Sequence, residues 1–199
     1  FAARMTQAVA FRGPDHQWTW SQDRVGFGHT LFETTRPSEH KQQPCQLDSI
    51  YIVADARLDA RDDLIERLQS ASERSVPRDF SDSELILRAY RIWGEGCVSH
   101  LLGDFVFAIW DGGVSRLFCA RDHFGIKPFY YAYKSGCFAF SNTLNCLRLH
   151  PHISDELNEL AIADFLLFEQ NQETNTTTFA DVQKLPAAHV LTVSGDGGM

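Results

Sequence analysis

The sequence predicts a mixed α/β domain with much antiparallel sheet, and three observations carry that reading. Ile50-Tyr51-Ile52-Val53-Ala54 is a short, continuously apolar run of the kind a buried strand needs. Phe105 to Trp110 and Ser115 to Ala120 flank Asp111-Gly112-Gly113, a hairpin signal because glycine tolerates positive φ. A third run from Pro128 to Tyr133 passes through Lys134-Ser135-Gly136 into Cys137-Phe138-Ala139-Phe140. In succession these runs read as a meander that carries most of the aromatics. Its strands are apolar on both faces, so the sheet must be covered on both sides.

The helices follow from periodicity and capping. Leu64, Ile65 and Leu68 form one apolar stripe in a helix expected to begin near Asp59, with acidic residues in its early turns. Ser81-Asp82-Ser83-Glu84 has the capping-box pattern, in which serine and the glutamate three residues on each satisfy the other's backbone N–H. That helix carries Leu85, Ala89, Ile92 and Trp93, and Gly94 is placed to stop it. A third helix is expected from about Asp155 through Leu166. Ser70 to Arg78 reads as a polar connector and Asn171 to Thr178 as an exposed, mobile loop.

Composition narrows the class. The 199 residues suffice for one substantial core, and one compact domain over 1–199 is the default. The formal charge is −8, with 18 basic residues scattered among 26 acidic ones. That argues against nucleic acid, because phosphate binding needs a concentrated cationic face. No apolar run approaches the ~18 residues of a membrane span and no signal peptide opens the chain, so the expectation is a cytoplasmic protein without a membrane partner. Five cysteines show no CxxC pair, and Cys119 and Cys137 are expected to be buried reduced thiols. His150-Pro151-His152 offers two metal-type ligands, but the intervening proline reads as a turn, and no metal site is expected.

Seven short motifs, in order, add a resemblance. They are Arg12-Gly13-Pro14-Asp15, Gly28-His29, Gln43-Pro44, Ser81-Asp82-Ser83-Glu84, Gly103 to Asp111, Arg121 to Tyr131, and Val182-Gln183-Lys184-Leu185-Pro186. Together they resemble the glutamine amidotransferase domain of the asparagine synthetase superfamily, which includes relatives that close β-lactam rings or cyclise peptides. The resemblance implies an α+β fold, an N-terminal nucleophile hydrolase-like αββα sandwich of two mostly antiparallel sheets. It also implies an N-terminal cysteine nucleophile whose free α-amine, pKa about 8, serves as the base. This chain opens Phe1-Ala2-Ala3-Arg4 and has no cysteine before Cys45, so the family's opening strand is expected to precede Phe1. An internal cysteine cannot substitute, because its amine is locked in a peptide bond.

The resemblance also assigns a glutamine pocket, and here its positions are altered. Leu31 stands where an arginine would clamp the glutamine carboxylate, a charge-assisted contact worth about 1.5–3 kcal/mol. Asp55 stands in place of the oxyanion-hole asparagine and Ala56 in place of its glycine. Arg57 replaces a glutamate that would face the substrate ammonium, and Asp82 alone persists. A slip of register could bring Arg36 toward the clamp position, but the helix after Leu58 aligns without one. Arg12 is a candidate for a residual pocket role, whereas Asp15-His16 and Asp122-His123 are read as turn residues. An Arg57–Asp82 ion pair is expected to plug the pocket.

Two functions of different class follow. One is a glutaminase-deficient scaffold for an ATP-dependent amide-bond-forming synthetase domain, on the same polypeptide or a partner subunit. The other is a glutamine-hydrolysing domain that supplies ammonia to such a synthetase. No cofactor is expected in this domain. ATP and magnesium belong to the synthetase half, whose Ser-Gly-Gly-x-Asp-Ser loop does not occur here. A homodimer is compatible with either function, and the final acceptor stays open among aspartate, an arginine derivative and a peptide.

Overall fold

A computed structural model describes residues 1–33, 42–72 and 75–195. Its strands are β1 (His16–Gln22), β2 (Val25–Leu31), β3 (Cys45–Leu47), β4 (Ile50–Leu58), β5 (Gly103–Asp111), β6 (Arg116–Arg121), β7 (Tyr130–Lys134), β8 (Cys137–Ser141), β9 (Gln183–Lys184) and β10 (Val190–Ser194). The helices are α1 (Ala2–Ala8), α2 (Arg61–Ser72), α3 (Asp82–Trp93), α4 (Leu144–Leu147) and α5 (Glu159–Phe168). One sheet runs β10-β6-β5-β4-β3, every described pairing antiparallel. The facing layer is in two pieces, the hairpin β1-β2 and the sheet β8-β7-β9.

Side-chain alternation along the central strands sets the layers. In β5, Phe105, Phe107 and Ile109 pack with Leu64, Leu68, Leu85 and Ile86 of α2 and α3. The alternate residues Val106 and Ala108 point the other way, into a core with Phe27, Phe129 and Leu185. A third cluster, including Ala132, Ala139, Leu147 and Met5, brings α1 and α4 over the outer face of β7-β8. The result is four layers, helix–sheet–sheet–helix, and the doubly apolar strands are covered on both faces as their sequence requires.

The meander does not form. β5 and β6 pair within the five-stranded sheet, whereas β7 and β8 pair in the other layer, and the second edge of β6 is taken by β10. The segment between β6 and β7 carries the chain across. Asp122 is buried, and its carboxylate accepts the N–H groups of Phe124 (3.1 Å), Ile126 (2.9 Å) and Lys127 (3.0 Å). Arg121 reaches the carbonyls of Gly125, Lys127 and Leu185. Gly125 has φ 66°, and a Cβ there would lie 3.0 Å from the Arg121 guanidinium carbon, so glycine is required on both counts.

Other differences are local. Helix α2 starts at Arg61 and α5 at Glu159, each later than the periodicity suggests. At α5 the cap is Asn158, whose side chain accepts Ala161 N–H. The capping box at Ser81 and Glu84 forms as read, and Gly94 ends α3 with φ 59°. Between β5 and β6 the positive φ falls on Ser115 rather than on Gly112 or Gly113. Those glycines instead allow close approach, to Ser49 O and to the Asp111 carboxylate. In the tight turn between β7 and β8 both Ser135 and Gly136 are left-handed. Cys119 is buried, but Cys137 is half-exposed beside that turn. The 171–178 loop is tied down by Thr177, which is buried and donates to Val182 O at 2.7 Å.

Replacing Asp122 by Ala leaves at least three backbone N–H groups without their acceptor. Each orphaned donor costs about 1–3 kcal/mol, so a loss of at least about 3 kcal/mol is expected in urea unfolding. A loss below 1 kcal/mol would mean that the turn holds itself.

Candidate functional site

Three of the residues singled out in the sequence, Asp55, Ala56 and Arg57, lie along β4, and strand geometry sends them in different directions. Odd residues of β4 face the inter-sheet core, where Tyr51 and Val53 pack, while Ile52, Ala54 and Ala56 pack toward α2 and α3. Asp55 therefore sits at the end of the inter-sheet layer. Its carboxylate meets Lys127 Nζ at 2.6 Å, with both side chains about one-third exposed. Lys127 is aimed there by its own backbone, whose N–H donates to Asp122 and whose carbonyl accepts from Arg121.

His29 of β2 approaches from the facing layer, stacked on Trp18 with ring centroids 6.0 Å apart. Burial depresses its pKa to about 4, and the nearby negative charge of Asp55 opposes that shift without overcoming it. The ring is thus neutral at pH 7, and its buried Nδ1 has no hydrogen-bond partner among the described residues.

The Arg57–Asp82 pair does not form. Arg57 lies directly across from Asp104 in the β4–β5 register, and its guanidinium bonds Asp104 at 3.0 Å and Asp59 at 2.8 Å. Cross-strand neighbours on one face are within reach, whereas Asp82 lies on the helix layer. Asp82 has a different cation, Arg61 in the first turn of α2, and its second oxygen accepts Leu58 N–H at 3.0 Å. Arg57 is largely exposed and plugs nothing.

The outer edge of β4 carries the backbone groups of Ala54, Ala56 and Leu58. Phe105, opposite Ala56, uses its carbonyl to accept Asp122 N–H on the β6 side, so Ala56 turns its own backbone groups away from β5. On that open edge the Gln43 side chain accepts Ala54 N–H at 2.6 Å and donates to Ala54 O at 3.0 Å. Asp82 takes Leu58 N–H two residues further on. The Ala56 N–H stands between these two capped rungs.

The remaining candidates are placed plainly. Leu31 ends β2 half-buried, and its carbonyl accepts Asp15 N–H. Arg12 is exposed at the end of a 3-10 turn, and Gly13 lies so close to the Thr30–Leu31 backbone that a Cβ would collide. Asp15 accepts Glu33 N–H at 2.7 Å, a turn role. Arg36 lies outside the described residues. His150 and His152 contact each other, but no cluster of three metal-type ligands occurs among the described residues. No described helix is long and apolar enough to cross a membrane. Sequence reasoning missed Lys127 and Arg61 as the cations that hold Asp55 and Asp82. Each sits inside a run already singled out, but pairing across layers leaves no mark on spacing.

An αββα sandwich of antiparallel sheets, with a polar cluster at one end of its inter-sheet core, is the architecture of N-terminal nucleophile amidotransferases. The structure overlays on the glutamine phosphoribosylpyrophosphate amidotransferase of Bacillus subtilis with a TM-score of 0.57 at 14% identity, covering 86% of this chain and 33% of that one. An allosteric regulatory enzyme of purine biosynthesis gives a TM-score of 0.60 at 13% identity, with 86% and 33% covered. These likenesses concern fold alone. The sequence model of the glutamine amidotransferase domain family matches residues 1–199, and the chain belongs to that family, as found in asparagine synthetases.

It is 31% identical to asparagine synthetase [glutamine-hydrolyzing] 3 of Bacillus subtilis over 198 residues, 98% of this chain and 32% of that protein. A putative asparagine synthetase [glutamine-hydrolyzing] of Mycobacterium tuberculosis is 32% identical over 155 residues, covering 73% and 24%. The chain spans about a third or less of the length of these relatives.

Two stability outcomes test the site. Because His29 is depressed in the folded state, its neutral form stabilises the fold fully above about pH 6.5, and that contribution is lost as pH falls from 6.5 through about 4. His29→Gln is expected to flatten that part of the stability–pH curve; an unchanged slope would contradict the burial argument. In urea unfolding, Arg57→Gln is expected to leave stability nearly unchanged, because its ion pairs are solvent-exposed. Asp82→Ala should cost about 1–3 kcal/mol, because Leu58 N–H and Arg61 both lose their acceptor.

Proposed function

We propose that this chain is a glutaminase-deficient amidotransferase domain that serves as a scaffold for an ATP-dependent amide-bond-forming domain. The observation that carries this reading is the Asp55–Lys127 ion pair, 2.6 Å across, at the position where the family would present a neutral amide to an oxyanion. Hydrolysing an amide develops negative charge on the carbonyl oxygen, and a carboxylate at that point opposes it. Lys127 neutralises Asp55 and is thereby committed to it. Leu31 offers no guanidinium to a substrate carboxylate, and the acidic Asp82 is already neutralised by Arg61. Among the described residues of this pocket, a free glutamine would thus meet neither of the charge partners that orient it.

The domain's part in such a protein is to present a rigid face, with the ATP, magnesium and acceptor chemistry residing in the synthetase domain. Two features favour the second reading, a working glutaminase. One is the Ala56 N–H on an edge that no described strand covers; the other is that the relatives named above are glutamine-hydrolysing synthetases. The encoded residue that follows the initiator methionine separates the two readings most cheaply. Cysteine there favours hydrolysis, and serine or alanine favours the scaffold.

The biochemical test uses the gene's full-length product. No ammonia above background is expected from glutamine, and no labelling by diazo-oxo-norleucine. Free ammonia should support any amide product formed. Stoichiometric labelling of a cysteine together with ammonia release would establish the glutaminase.

A further inference from the structure

Helix α5 stands apart from the three cores of the fold. Of its ten residues, Ala161 alone is buried. Leu160, Phe165, Leu166, Leu167 and Phe168 are each 56–75% exposed. Its described attachments are few and polar: the Asn158 cap, a bond from Gln172 N–H to Asp164, and a bridge between Leu157 and Phe179. Apolar side chains scattered singly on a surface are ordinary, but four consecutive ones that point around a whole helical turn are not. A helix of this length is marginal in water by itself, because helices under about 12–15 residues seldom repay nucleation. Something that removes the C-terminal turn from water would both stabilise the helix and account for its composition.

We propose that α5 is a docking helix that inserts its C-terminal turn into an apolar groove on the ATP-using domain, a groove with a basic rim. The inference rests on the scaffold reading for the existence of that domain. Two observations select it over a second copy of this chain. The relatives are about three times as long as this chain, so each such domain has a large body attached to it. Charge also opposes self-pairing. Every copy carries −8, and the charged residues of α5 are Glu159 and Asp164, with no cation. In an antiparallel two-fold pair, Asp164 near the helix centre would face its own symmetry mate. A heterologous groove with lysine or arginine at its rim satisfies the same carboxylates. The recognition is that of a helix seated in a groove, with Leu160 and Leu167, seven residues apart and so on one face, as its anchors.

The test compares hydrogen exchange of α5 amides in the 199-residue chain and in the gene's full-length product. Near-unprotected exchange is expected in the chain alone, with at least tenfold slowing in the full-length protein. The variant Leu160→Gln/Leu166→Gln/Leu167→Gln should abolish that slowing and leave the melting of the domain unchanged, since these side chains lie outside its cores. Equal protection in both forms, with a dimeric mass for the chain alone, would assign α5 to a second copy and overturn the proposal. Unprotected α5 in the full-length protein, or a gene without an ATP-using domain, would also overturn it. Glutamine hydrolysis alongside a protected α5 would instead defeat the scaffold reading and leave the docking intact.

Discussion

The structure depends on the adjacent pair Arg121 and Asp122, which hold the crossing between the two sheets from opposite directions. One supplies N–H donors to carbonyls and the other accepts backbone N–H groups, so the backbone of the 122–127 excursion is satisfied internally although the Phe124 and Ile126 side chains are exposed. Burial works to raise the Asp122 carboxyl, but the backbone donors of Lys127, Ile126, Phe124 and Gly125 outweigh it, and it titrates below the ordinary carboxylate value. Arg121 is pushed down by burial, with Asp122 opposing. Asp122 also gives its carbonyl to Gly125 and Ala188 N–H groups, which draws the approach to β10 against the same turn. Layer order, the seating of β10 and the aim of Lys127 all follow from this one crossing.

Structure and site were legible to different depths. Doubly apolar strands announced a covered sheet, and the Ser81 capping box announced α3 to the residue. The split of the expected meander was not visible, because β5-β6 and β7-β8 each look like a local hairpin whether or not β6 and β7 are neighbours. Nothing in the spacing of Arg121 to Pro128 says that the segment changes layer. At the site, the strand positions of Asp55, Ala56 and Arg57 were read correctly, but their partners were not. Arg57 was expected to cross to Asp82, although a nearer carboxylate, Asp104, was available directly across the ladder. Spacing gives the face on which a residue lies, whereas pairing depends on which other chain segment arrives there.

The polar groups of the altered site fall into two separately neutralised pairs. Asp55 with Lys127 lies toward the facing sheet, and Asp82 with Arg61 toward the helices. His29 stays neutral beside the first pair. Under the scaffold reading proposed above, such an arrangement presents little net charge to a zwitterionic ligand.

The Gln43 side chain has a further consequence. By taking both the N–H and the C=O of Ala54, its amide imitates one rung of an adjoining strand where no described strand pairs. Together with Asp82 at Leu58, it takes up two of the rungs that β4 offers beyond β3. Each of those two rungs is thereby closed to a foreign strand by a side chain, a means of blunting a sheet edge that needs neither a bulge nor a proline there.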